Sequence, residues 1–139
     1  MNIKSYSQSA LLVVMLLLLP LTACKKTDDH DHSSTDSEKP VLTITLPSDS
    51  MTFNNGDTVK IRGTVTDNSL HELMVSIINN DNDSILYSAS PVVHDLSAYT
   101  IAMDWKSQVT THTNASVVIV AEDHSSNVVA DTIRIHIMP

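Results

Sequence analysis

The stretch Thr58-Val59-Lys60-Ile61-Arg62-Gly63-Thr64-Val65-Thr66 decides how this chain folds. Successive side chains of an extended strand point to opposite faces. Val59, Ile61, Gly63 and Val65 therefore share one face, and Lys60, Arg62, Thr64 and Thr66 share the other. One apolar face and one polar face describe a half-buried antiparallel strand.

The same alternation recurs on both sides. Upstream, Val41–Leu46 sets Leu42, Ile44 and Leu46 against Thr43 and Thr45. Pro47 ends that strand, and Asn54-Asn55-Gly56-Asp57 is a turn signal. Downstream, Leu73, Val75 and Ile77 form an inward set, while Met74 and Ile78 leave the opposite face less polar than usual. Asn79–Asp83 reads as a polar hairpin loop leading into Ser84–Ser88. It lacks the glycine and terminal glutamate of a calcium-binding EF-hand loop. Tyr99, Ile101, Met103 and Trp105 alternate with Ala98, Thr100, Ala102 and Asp104. Val117–Ala121 is continuously apolar, as a central strand should be, and Ile133, Ile135 and Ile137 alternate with Thr132, Arg134 and His136. No long window carries a helical period. About seven short strands separated by turn residues predict an all-β, antiparallel immunoglobulin-like β-sandwich over residues 40–139. Tyr87, Tyr99 and Trp105 lie in strand patterns, which places them in or beside the core.

The residues before Pro40 do not share this pattern. Lys4 precedes the apolar run Ala10–Leu19, Pro20 breaks it, and Leu21-Thr22-Ala23-Cys24 follows. The run is shorter than the ~20 residues a membrane-spanning helix needs. Residues 25–39 contain no aliphatic or aromatic side chain and cannot bury enough surface to offset ordering, which predicts a flexible, acidic tether. The 139 residues thus divide into a signal segment (1–23), Cys24 with its tether (24–39) and one domain (40–139). Hydrophobic residues make up 42% of the chain and charged residues 17%, which excludes wholesale disorder. The formal charge is −8, and removal of residues 1–23 takes Lys4 and no acid, leaving −9. Such a balance argues against nucleic acid as a partner, because phosphate neutralisation requires clustered Lys and Arg.

Leu21-Thr22-Ala23-Cys24 resembles the lipobox of bacterial lipoproteins, in which the cysteine carries a thioether-linked diacylglycerol and becomes the acylated amino terminus. The resemblance implies lipidation at Cys24, a membrane partner through that lipid, and a domain held at the bacterial outer membrane. Two acyl chains already give stable anchoring. It also accounts for the lone cysteine, which has no disulfide partner. The acidic run Asp28-Asp29-His30-Asp31-His32 resembles the surface-export signal of lipoproteins from the Bacteroidetes phylum. Lys39-Pro40-Val41-Leu42 matches the domain opening of the small Ig-like lipoproteins of that phylum, which implies a fold and an address but no activity. Two further stretches resemble corners of bacterial Ig-like and fibronectin-like modules. One is Gly63–Leu73, and the other is Ala121-Glu122-Asp123-His124-Ser125-Ser126-Asn127, the final hairpin, where Ser126 stands in place of the usual glycine and predicts an altered turn.

Catalysis finds no support. The chain has no Gly-x-Ser-x-Gly elbow and no His-Glu-x-x-His helix, and two glycines cannot build a phosphate-cradling loop. No cofactor is implied. The reading that follows is a non-catalytic, surface-presented interaction module for a protein or glycan partner. The alternative is a zinc- or copper-binding envelope lipoprotein, motivated by seven histidines. Imidazole and carboxylate together suit these ions. The tether offers His30 and His32. In an Ig-like topology the second-to-third and sixth-to-seventh strand loops share one end, which would gather Asp67, His71, Asp123 and His124, with His94 and Asp95 adjacent. Asp67 and Asp123 also suit a purely local role, accepting backbone N–H groups where a strand turns. Finally, Asp-Ser/Thr-aliphatic triplets occur at Ser50, Thr58, Ser84 and Thr132 and resemble the O-glycosylation acceptor motif of Bacteroidetes surface proteins.

Overall fold

A computed structural model describes residues 36–139. Cys24, His30 and His32, and with them the signal segment and most of the tether, lie outside the described residues. Among the described residues eight strands form two sheets: β1 (Val41–Leu46), β2 (Met51–Asn54), β3 (Thr58–Thr66), β4 (Leu70–Asn79), β5 (Ile85–Ala89), β6 (Ala98–Lys106), β7 (Thr113–Asp123) and β8 (Val128–Met138). Among the described residues there is no helix, and so none long and apolar enough to cross a membrane.

The three-stranded sheet runs β1-β3-β6 and the five-stranded sheet β2-β8-β7-β4-β5. This is an immunoglobulin-like β-sandwich. The alternation expected for β3 is borne out: Val59, Ile61 and Val65 are fully buried against the other sheet. Gly63 sits in the same row because β1 passes directly over it. A Cβ there would meet the Thr43 carbonyl oxygen and stand 2.8 Å from Ile44 Cδ1. From the facing sheet come Leu73, Val75 and Ile77 of β4, Val117 and Ile119 of β7, and Ile133, Ile135 and Ile137 of β8. Each such fully buried aliphatic side chain contributes about 2 kcal/mol relative to leaving it in water. Tyr87, Tyr99 and Trp105 pack against this core, as their strand positions imply. β7 is the innermost of the long strands, paired with β4 on one side and β8 on the other, which is why Val117–Ala121 tolerates no polar interruption.

One strand escapes the sequence pattern. β2 is only four residues long and buries a single side chain, Phe53. It pairs with β8 in parallel, Met51 opposite Ile135 and Phe53 opposite Ile137, whereas every other pairing is antiparallel. Pro47 has no N–H to continue the β1 ladder, and beyond it the chain passes to the second sheet. The crossing is held by Asp49: Arg134 donates to it from its backbone N (3.0 Å) and from Nη2 (3.0 Å), and Ser50 N donates to Arg134 O (2.8 Å). The guanidinium holds the Asp49 carboxyl down at about 2.

Strand directions fix the two ends. β3 finishes, β4 starts, β5 finishes, β6 starts, β7 finishes and β8 starts at one end, and β1 begins there too. That end therefore gathers the β3–β4 corner, the β5–β6 loop and the β7–β8 turn. The chain enters beside them, with Asn127 Nδ2 donating to the Asp36 carbonyl (3.1 Å).

Candidate metal centre

Three histidines from three separate segments converge at this end. His71, His94 and His124 each offer a ring nitrogen, and these atoms all lie within 4.8 Å of one another. The rings stand 4.5 to 5.3 Å apart, centroid to centroid, and are tilted or edge-on to one another rather than stacked flat.

Each is positioned by its own local device. His71 is the second residue of β4, and the ladder to β7 skips it: Leu70 pairs with Asp123 and Glu72 with Glu122. It is the extra residue of a β-bulge, a feature that re-aims a side chain at the rim of a sheet. His94 lies in the β5–β6 loop, which is stitched to the start of β4 by two backbone bonds. Asp95 N donates to Leu70 O (2.9 Å) and Leu70 N to Leu96 O (2.9 Å); within the loop Leu96 N donates to Val93 O (3.0 Å), and Val93 plugs the core. Asp95 takes a left-handed backbone, φ 63°, to make that turn. His124 follows directly on β7, and its backbone N donates to Ser69 O of the β3–β4 corner (3.2 Å).

The polar environment is uneven. Asp95 Oδ1 stands 3.0 Å from His124 Nε2, and Asp95 Oδ2 stands 3.6 Å from His94 Nε2. Yet His124 Nε2 is buried and no group meets it with the alignment of a hydrogen bond. The Asp95 oxygen approaches it off the ring N–H axis. A buried ring nitrogen without a partner costs free energy, and native structures rarely retain one without a function.

The two acids grouped with these histidines by sequence go elsewhere. Asp67 Oδ1 accepts the Ser69 N–H (2.8 Å) within the β3–β4 corner. Asp123 is 2% exposed, and its Oδ1 accepts the N–H groups of Ser125 and Asn127 (both 2.8 Å) while Oδ2 accepts Asn127 Nδ2 (2.8 Å). Burial pushes the Asp123 carboxyl up, but the Asn127 side chain and the Asn127 and Ser125 amides outweigh it, aided by the nearby His124, so its pKa falls below the ordinary value. The local role thus claims both carboxylates, and the acid that faces the imidazoles is Asp95. The turn itself is intact despite Ser126, which adopts the left-handed φ of 63° that glycine would take freely. The remaining two described histidines, His112 and His136, stack on each other at 5.7 Å, with His136 Nδ1 3.0 Å from Asn114 Oδ1.

The four hydroxyls of the Asp-Ser/Thr triplets are all exposed. Ser50 differs from the others: its hydroxyl donates to Asp49 (3.2 Å) and its backbone is left-handed, φ 63°. Thr58 opens β3, Ser84 closes the β4–β5 loop and Thr132 lies within β8.

No protein-family model matches the sequence, and no curated protein matches it. Among solved structures, the chain is similar to an engineered protein (13% identity, TM-score 0.50, 73% of this chain and 20% of that one). It is also similar to the endo-β-1,4-mannanase from Thermotoga petrophila (15% identity, TM-score 0.50, 76% and 21%). A third likeness is to fibronectin(III)-like modules of Clostridium thermocellum CbhA (17% identity, TM-score 0.46, 72% and 47%). The chain spans about a fifth of the first two and about half of the third, and at these identities the likeness is one of fold alone.

Proposed function

We propose that this protein is a non-catalytic envelope lipoprotein whose Ig-like domain binds a divalent transition metal, zinc or copper, through His71, His94 and His124. The observation that carries this reading is the convergence of three histidines whose ring nitrogens lie within 4.8 Å of one another, with His124 Nε2 buried and not hydrogen-bonded. Neutral imidazole is the commonest ligand for both ions. Three nitrogens from three segments also require little rearrangement to close on an ion, because the segments are already tied together through Ser69, Leu70 and Leu96.

The anchor and the address rest on Leu21-Thr22-Ala23-Cys24 and on the acidic residues that follow it. In this reading the lipid on Cys24 holds the domain at the outer membrane, and Lys25–Lys39 lets it stand off from the surface. The exposed hydroxyls of Thr58, Ser84 and Thr132 are accessible to a glycosyl-transferring enzyme, and Ser50 is the least free of the four.

The test is elemental analysis and calorimetric zinc titration of the protein purified in detergent without a histidine tag. Near-stoichiometric metal after mild dialysis, lost on His124→Ala, is the expected result. Metal far below one equivalent and no saturable heat would contradict it. Intact-mass spectrometry of the native protein reads the rest: acyl chains on Cys24 and, for glycosylation, hexose-sized increments.

A further inference from the structure

The geometry points to Asp95 as a fourth ligand, which makes the centre a closed three-histidine, one-carboxylate site of the kind that holds zinc. This inference rests on the three-histidine reading above and goes further by naming the donor that completes it.

Four-coordinate zinc places nitrogen and oxygen ligands at about 2.0–2.2 Å, so neighbouring donors of a tetrahedral set lie about 3.3 Å apart. The two Asp95 oxygens each come near this spacing to one imidazole, Oδ1 at 3.0 Å from His124 Nε2 and Oδ2 at 3.6 Å from His94 Nε2. A hydrogen bond explains neither distance. The longer one exceeds the range of an N–H···O bond, and the shorter one fails on direction, leaving His124 Nε2 unpartnered.

The backbone supplies the second observation. Asp95 is held in a left-handed conformation by its own N–H bond to Leu70 O, and aspartate tolerates this region better than most residues. The turn places residue 95, rather than residue 94 alone, beside the imidazoles. His94 and Asp95 are therefore both directed to the same place by one two-residue step. Asp123 is engaged through both oxygens by its own turn, and Asp67 accepts the Ser69 amide through Oδ1.

The chemistry follows from the donor set. Three neutral imidazoles and one carboxylate leave a bound divalent ion with a net charge of +1 and fill a tetrahedral shell, with no position open for a reacting water. That matches a binding site rather than a hydrolytic one. Zinc has no geometric preference beyond what its ligands impose and accepts this set, whereas copper(I) favours thiolate or thioether donors, absent from the cluster.

Cobalt(II) reports the geometry directly, because four-coordinate Co²⁺ absorbs far more strongly in the visible than six-coordinate Co²⁺. The full chain in detergent micelles, carrying His30→Ala and His32→Ala to silence the tether, is titrated with Co²⁺ and then competed with Zn²⁺. Asp95→Asn and Asp95→Gly are compared with it, the glycine variant being free of any backbone constraint at φ 63°. The inference predicts strong four-coordinate bands in the parent. In both Asp95 variants those bands shift and zinc affinity falls by at least ~10-fold. Zinc affinity of both variants within about twofold of the parent, with His124→Ala abolishing binding, would overturn the Asp95 assignment and leave the three-histidine site standing. No saturable binding by the parent, or undiminished binding by His124→Ala, would overturn the three-histidine reading itself.

Discussion

At the end of the sandwich where β3 begins, Ser107 is 1% exposed and its hydroxyl is fully used. It donates to Asn54 O (2.9 Å) and accepts from Gly56 N (3.0 Å), while Val109 N donates to Asn55 Oδ1 (3.0 Å). At the opposite end His124 Nε2 is just as hidden from water and has no such partner. Both ends are loop clusters with buried polar atoms. The first satisfies them internally, as a structural joint must, and the second leaves a nitrogen over. The nearest charged group to that nitrogen is the Asp95 carboxylate, at 3.0 Å. Within the histidine end the same contrast separates the acids: Asp123 is consumed by its turn, and Asp95 is not.

The contrast breaks first at Asp123. Asp123→Ala strands the N–H groups of Ser125 and Asn127 in a buried turn, and unfolding free energy should fall by about 3 kcal/mol in a urea titration. A loss under about 1 kcal/mol would mean that Asp123, like Asp95, is available to a ligand. Ser107→Ala is the matching lesion at the other end and should cost about 2 kcal/mol without touching metal affinity. His124→Ala should do the reverse, abolishing metal binding while changing metal-free stability by about 1 kcal/mol or less, because the atom removed was unsatisfied. Ser126→Gly should raise stability by about 1 kcal/mol, since glycine adopts the left-handed backbone without a Cβ penalty. Gain there without change in metal affinity would separate turn strain from the site.

Acid sharpens the picture further. Asp123 and Asp49 both have pKa values lowered by folding. Each therefore contributes stability that is fully present above the unfolded carboxylate range and disappears as pH falls through the folded value. For Asp49 that loss ends near its folded value of about 2. Urea midpoints measured from about pH 5 downward should decline, and Asp49→Asn should flatten the lowest part of the decline.

Much of the fold is legible in the sequence, for a definite reason. β3, β6 and β8 each bury one face, so period-two alternation by itself marks Val59–Val65, Tyr99–Trp105 and Ile133–Ile137 as strands. β2 is not legible, because four residues with one buried side chain carry no period and its parallel partner lies some eighty residues away. The site is half legible. His71 and His124 adjoin strand corners that an Ig-like topology brings together. His94 and Asp95, which the same topology sets beside them, sit in a loop without periodicity, and the bonds to Leu70 fix where that loop lies. Asp67 and Asp123 accept turn amides, as the purely local role also read from the sequence describes, because those N–H groups lie two to four residues along the chain.

Whether the histidine end holds a metal is decided by zinc calorimetry on the full chain carrying His30→Ala and His32→Ala. One saturable equivalent is expected, and it vanishes when His124→Ala is added to the same chain. Heat no greater than that of buffer, or an isotherm unchanged by His124→Ala, would contradict it.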